Sequence, residues 1–298
     1  MSTPAFDPRL FDTDSDRAED LAYKNILNGV ITLATSPSQA ASQLDEWVTT
    51  ETELKQKQLQ GRELTEEEKD GIYLVAPNSS RLVGMILESI ARVSSAYPPG
   101  HDVQNALVAL IQALSDIPKH QVLDLRYDDE HQPILNMTRE LWPFKTGSTE
   151  VLAYSFRREA DDLAYPFSEV ETLGSETQIR WRNLQAFIAR LTRLELIDCS
   201  AVSALLYILP SAITYPNLTE RKVGGPHRIA ADLTAASHWL VDDDSCQWVK
   251  GRCEQDDHKV WNMRNWNSWR AQMEFIAVDE RFSEEARALA ALLKAKME

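Results

Sequence analysis

Asp128-Asp129-Glu130 is the kind of acidic cluster that holds magnesium around a diphosphate when it is mounted on a helix wall. Here it falls in an irregular stretch. The second ligand set such chemistry needs is an Asn, a hydroxyl four residues on and an acid four beyond that. Asn265 and Asn267 lie in a suitable helix, but Ser268 and Glu274 stand at the wrong spacing. The cluster therefore reads as a solvated acidic loop. Asp242-Asp243-Asp244, between an apolar helix and Cys246, reads as an exposed turn. His227 follows Gly224-Gly225-Pro226 and precedes a helix, so it and Arg228 stand beside a helix N-terminus, where anions bind. No acid or nucleophile is paired with it, and a capping or surface histidine is the plainer reading. His238, next to Trp239, reads as a packed histidine. Cys199, Cys246 and Cys253 have neither a disulfide framework nor zinc spacing. The chain carries no G-x-S-x-G elbow, phosphate-cradling glycine loop, G-x-G-x-x-G or H-E-x-x-H. No metal and no cofactor is expected.

One concentration is unusual, and it is aromatic. Trp239, Trp248, Trp261, Trp266 and Trp269 crowd the last part of the chain, with Trp181 earlier. Trp266 and Trp269 are three apart and share a helix face; Trp261, five before Trp266, does not share it closely. Large aromatics with polar handles line pockets for apolar ligands, and they also fill helical cores. On the pocket reading the candidate lining is Trp181, Arg190, Tyr207, His238, Trp239, Trp266 and Trp269, with His238 or Arg190 as polar groups.

The elements that must position these residues are helices. Leu21, Ile26, Leu27, Val30 and Ile31 recur mostly at three and four residue spacing, as do Leu82, Val83, Ile86, Ile90 and Val93, and Val103, Leu107, Leu110, Ile111 and Leu114. Ser36-Pro37, Thr65 with its trailing glutamates, and Ser283-Glu284-Glu285 are helix starts. Further helices are expected over Glu150–Leu163, Glu176–Leu196, Ile229–Leu240, Asp257–Val278 and Ser283–Met297. Ser200–Ile213 is apolar nearly all round, so it is expected to be the central, fully buried helix. From Pro118 to Pro143 the periodicity is lost, and an ordered connection is expected there. The resulting fold class is all-α, an irregular bundle of nine to eleven antiparallel helices with no significant sheet. Residues 1–15 read as a flexible arm. Residues 16–298 read as a single helical domain, with 118–145 as the place where two packed halves would divide.

Of the 298 residues only 10 are glycine, which fits long helices with few tight turns. The net charge of −15 opposes binding to phosphate backbones and anionic membrane surfaces, so neither nucleic acid nor membrane is an expected partner. No signal-peptide pattern and no stretch of about 18 apolar residues is present, and the expected compartment is the cytosol, with the nucleus as second choice.

Leu141-Trp142-Pro143-Phe144, Trp181 with Asn183-Leu184, Phe187-Ile188-Ala189-Arg190-Leu191, Ala235-Ala236, His238-Trp239, Trp266, Trp269 and the Ala-rich helix ending in Met297 carry a resemblance. Together they resemble a fungal family of helical proteins carried as a domain of unknown function, over most of the chain from Asp16. The resemblance implies a helical fold and no transferable catalytic residues. Some members stand beside secondary-metabolite genes, which implies an accessory role. Two functions follow as expectations. One is a non-enzymatic protein that binds an apolar small molecule or a partner protein. The alternative is an isomerase- or cyclase-like enzyme acting on an apolar metabolite in a Trp-lined pocket.

Overall fold

The computed structural model describes residues 6–12, 14–144, 150–159, 174–209, 225–255 and 258–298. Two helices open the chain, α1 (Ala18–Ile31) and α2 (Pro37–Leu59). Ser36 accepts from the Gln39 amide at 3.3 Å and Pro37 occupies the first turn, where its missing N–H costs nothing. The short α3 (Glu66–Asp70) and α4 (Ile72–Val75) follow, α3 opening on a reciprocal Thr65–Glu68 capping box. Then come α5 (Ser79–Ala96), α6 (Asp102–Asp116), strands β1 (Gln121–Tyr127) and β2 (Pro133–Glu140), α7 (Glu150–Glu159) and α8 (Glu176–Arg193). The last four helices are α9 (Gly225–Ser237), α10 (Asp243–Gln255), α11 (Met263–Val278) and α12 (Glu284–Lys296). The mostly helical reading holds. The surplus over nine to eleven helices among the described residues comes from the one-turn segments α3 and α4.

Two expectations are corrected. The segment read as an irregular connection is an antiparallel hairpin, so a small sheet exists. Its register runs from Gln121 opposite Glu140 to Tyr127 opposite Pro133, with an irregularity between Asp124 and Arg126. That irregularity and a buried Asp124 break the apolar–polar alternation by which a strand is recognised. Asp124 is fully buried because it does helix-capping work: it accepts from the Ser79 hydroxyl at 3.0 Å, the Ser80 amide at 2.9 Å and the Ser80 hydroxyl at 2.8 Å. Arg126 and Arg139 flank it at 3.4 and 3.9 Å. The hairpin is thereby fastened to the start of α5. The Asp128–Gln132 loop closes it, with Asp128 accepting from the Gln132 amide at 2.7 Å.

The second correction concerns Ser200–Ile213. Through Leu209 it is buried only in part, with Val202, Leu205 and Ile208 enclosed, Leu206, Tyr207 and Leu209 half-buried and Ala201 exposed, and it forms two 3₁₀ turns, Ser200–Val202 and Ala204–Leu206, not a helix. Residues 210–213 lie outside the described residues, as does the end of the expected helix beyond Glu159. Side chains take over the hydrogen bonds a helix would have made. Asp198 accepts from the Ser200 amide at 2.9 Å and Ser203 from the Leu205 amide at 3.1 Å. From α8, Gln185 donates to the Val202 carbonyl at 3.0 Å and accepts from the Ala204 amide at 2.8 Å.

The central helices are α5 and α8, which pack on each other, α5 also meeting α7 and β1 and α8 meeting α9. The buried polar residues of α8 explain how an irregular bundle avoids orphaned backbone groups. Asn183 donates to the Ser95 carbonyl at 2.9 Å, and Gln104 donates to the carbonyls of Ser94, Tyr97 and Asn183 at 3.0, 2.9 and 3.1 Å. Buried apolar residues from Leu10 to Met297 form one connected core, with a small satellite of Ile72, Ala76 and Leu125 under the hairpin. No helix is long and apolar enough to cross a membrane among the described residues.

Candidate functional site

The tryptophans that stood out in the sequence divide between two aromatic clusters and one isolated ring. Trp261, fully buried, is the hub: Trp239, Trp248 and Trp269 lie 5.8, 5.7 and 6.2 Å from it, centroid to centroid. Trp248 and Trp269 meet it edge to face at 85° and 71°, the arrangement the ring quadrupoles favour. Trp239 completes its polar duty inside the core, its Nε1 donating to Gln185 Oε1 at 2.8 Å. Trp181 stands apart on α8, edge-on to Tyr207 at 5.8 Å. Trp266 is buried on α11 without a place in either cluster. Arg190 reaches across to Asn105 on α6 at 2.9 Å, and burial followed by the nearby Arg193 lowers its pKa. The seven candidates therefore do not share one chamber.

Two ring nitrogens here are left unsatisfied, Trp269 Nε1 and His238 Nε2. His238 follows α9, its Nε2 is buried without a hydrogen-bond partner, and burial together with the Arg182 cation pushes its pKa down to about 4. A neutral imidazole is thus held at the edge of the aromatic core.

The acidic clusters have structural employment. Asp128 organises the hairpin loop. Asp242 opens α10, accepting from the Ser245 amide at 2.8 Å and its hydroxyl at 2.7 Å. Asn265 donates to the Val260 carbonyl at 2.8 Å, and Glu274 pairs with Lys294 at 3.2 Å. No group of three or more His, Cys, Asp and Glu is placed to hold a metal among the described residues.

Open space lies instead on the outer face of α9. His227, Ala230, Ala231 and Thr234 recur at helical spacing there, while Ile229, Leu233 and Ala236 point into the core. On the α12 side a groove of about 290 Å³ is lined by Pro226, His227, Ala230, Thr234, Ala286 and Leu289, with Arg281, Ser283 and Glu285 at its rim. On the α8 side a second groove of about 190 Å³ is bounded by Gly174, Gln178, Ile179, Arg182, Ala231 and Thr234. Thr234 belongs to both, so the two flank one ridge of small residues. None of the seven aromatic and polar candidates lines either groove. Ser283 caps α12 by accepting from the Ala286 amide at 3.2 Å. Arg281 is fixed beside it by Asp279, to which its Nε donates at 2.9 Å. That guanidinium holds the Asp279 carboxyl down at about 2. Of the groove residues the sequence singled out only His227 as a candidate for chemistry; Ser283 and Glu285 were read as a helix start, and the rest are mostly small, apolar or singly charged residues that carry no motif.

A family described as a protein of unknown function, DUF3632, matches residues 87–285. The chain belongs to the DUF3632 family. No curated protein and no solved structure matches it. The DUF3632 region takes in the second half of α5, the hairpin, α6 to α11, the Trp261 cluster and most of the α9 grooves, and it ends inside the first turn of α12. Helices α1 to α4 precede it.

Proposed function

We propose that this DUF3632 chain is a binding protein that takes a small amphipathic molecule on the outer face of α9, with the tryptophan cluster as the rigid wall behind it. The observation that carries this reading is the α9–α12 groove. An apolar floor of Pro226, Ala230, Ala286 and Leu289 is ringed by the few polar groups His227, Thr234, Arg281, Ser283 and Glu285. Binding sites for small molecules have this composition, and a volume just below the usual ~300–1,000 Å³ suits a compact ligand. Guanidinium groups at both ends, Arg182 on one side and Arg281 on the other, favour a ligand with an anionic head in a chain that is otherwise strongly acidic.

The finer assignment is part of the proposal: an accessory protein of fungal secondary metabolism, working in the cytosol. It is supported by the resemblance in the aromatic positions and by the absence of a transferable catalytic set in that family. A second reading has one observation in its favour. His238, neutral near pH 7 with Nε2 unpartnered, has the protonation state of a general base, as an isomerase or cyclase would need.

Titration with anilinonaphthalene sulfonate, an amphipathic anion, tests the binding reading. The dye should gain fluorescence with wild-type protein and lose that gain in Ala230→Trp, which fills the groove; equal binding by both proteins sinks the assignment. Metabolite profiling of a deletion strain separates the two readings. One missing product with an accumulated precursor points to the enzyme.

A further inference from the structure

The segment before α1 is bound to the protein as a peptide ligand would be. Residues 6–12 have no regular secondary structure, and three of their backbone groups are bonded by α5 and α8. The Phe6 amide donates to the Ala96 carbonyl at 2.9 Å, at the open end of α5. The Asp7 carbonyl accepts from Arg180 at 2.6 Å, and the Arg9 carbonyl accepts from Arg92 at 3.4 Å. Side chains add anchors. Leu10 is only 4% exposed and joins the main core, Arg9 pairs with Glu176 at 2.9 Å, and the Phe6 ring lies 5.4 Å from the Arg180 guanidinium.

Arg180 is the reader of this segment. Its side chain is 1% exposed, and besides the Asp7 carbonyl it donates to Glu176 at 2.8 Å and to the Ser95 hydroxyl at 3.2 Å. The Ser95 bond ties α8 to α5, whereas the bond to the Asp7 main-chain carbonyl joins no helices. The helices α5 and α8 are already joined by Asn183 and Gln104. What Arg180 adds is recognition of an extended chain, the way peptide-binding grooves combine backbone hydrogen bonds with one or two side-chain pockets.

We infer that the end of α5 and the start of α8 form a peptide-docking groove which residues 6–12 occupy as an exchangeable strap. The pattern it accepts is aromatic, Asp, spacer, basic, apolar, as in Phe6-Asp7-Pro8-Arg9-Leu10. A segment of the same chemistry from another molecule competes for the groove when the strap lets go. The contacts divide in a way that suits exchange. The strap has one buried side-chain anchor, Leu10, while Phe11 is 42% exposed and the Arg9–Glu176 pair is solvated. Opening the strap thus releases one apolar anchor and a few hydrogen bonds, leaving the connected polar network of α5, α6 and α8 in place.

Trypsin cleavage after Arg9 reports opening, because in the closed strap the Arg9 carbonyl is held by Arg92 and the next residue, Leu10, is buried in the core. In the full-length chain, Leu10→Asp should leave the helical circular-dichroism signal unchanged and raise cleavage after Arg9 by about tenfold or more, since proteolysis of a transient opening follows its population. A fluorescent peptide of residues 6–12 should then bind the Leu10→Asp protein and not the wild type, and adding Arg180→Leu should abolish that binding. Phe6→Ala, a milder release, should move cleavage in the same direction by a smaller factor. The inference is overturned by unchanged cleavage in both strap variants, by global loss of helicity in both, or by an opened protein that ignores the peptide.

Discussion

Around Trp261 four indole rings touch; the Trp239 N–H finds Gln185, while the Trp269 N–H is buried with no hydrogen-bond partner. Ten or so residues away along α9 the opposite rule holds: small side chains, charges at the rim and unfilled space. Both regions are built on α9 and its flanks, and the difference lies in which face of the helix is considered. Ile229, Leu233 and Ala236 close the inner face, and the same helical repeat leaves His227, Ala230, Ala231 and Thr234 on the outer one. A conspicuous aromatic content therefore marks where this molecule is solid. The open grooves lie where the sequence is plainest.

Removing the hub is the strongest way to break that contrast. Trp261→Ala should cost about 4 kcal/mol of stability, the usual range for emptying a large buried aromatic site. Urea denaturation measures it, and dye binding per folded molecule should be unaffected. A variant that stays as stable as wild type would mean that the rings around Trp261 are not a packed core. His238 comes next. In the folded protein its pKa is lowered to about 4, below the ordinary imidazole value. Between about pH 6.5 and 4 the unfolded chain takes up a proton that the folded chain refuses, so stability falls as pH falls through that window. At about 1.4 kcal/mol per pKa unit the loss reaches roughly 3 kcal/mol by the bottom of it. His238→Gln removes this component, and the two proteins' urea midpoints should converge on acidification; parallel pH profiles would contradict a desolvated imidazole. A third, smaller effect is expected from Gln185→Leu, which leaves the Trp239 N–H, the Val202 carbonyl and the Ala204 amide short of a partner, at a cost of about 2 kcal/mol. Thermal unfolding should show it, together with a shift of tryptophan emission.

The helical frame was legible wherever one residue decides a local question. Ser36, Thr65 and Ser283 each accept from the amide three residues on, as their types and positions imply. The hairpin was hidden because Asp124 sits where a strand should show an apolar residue, and its reason for being there, the Ser79–Ser80 end of α5, is 44 or more residues distant. The stretch after Ser200 was legible as buried only in part and illegible as 3₁₀, since the competitor for its backbone bonds is Gln185, on another helix. The side chains of Asp198 and Ser203, which accept from the amides two residues on, were the local hint. The groove was the least legible part. Its walls are Gln178 and Arg182, Ala230 and Thr234, and Ala286 and Leu289, which come together only when α8, α9 and α12 pack.

The smallest stability effect carries the sharpest functional one. Ala230→Trp adds an indole to the half-exposed ridge of α9, where the side chain lies at the edge of the core and faces the groove. Nothing packed is displaced, so the folding free energy should stay within about 0.5 kcal/mol of wild type, as for surface changes away from caps and networks. Occupying the floor between Pro226 and Leu289 should nevertheless remove the dye site. Set beside Trp261→Ala, this makes a double dissociation: one tryptophan lost costs stability and spares binding, one tryptophan gained spares stability and costs binding. If Ala230→Trp instead destabilises by as much as the loss of Trp261, the outer face of α9 is packed like the inner one, and the distinction between the two regions fails.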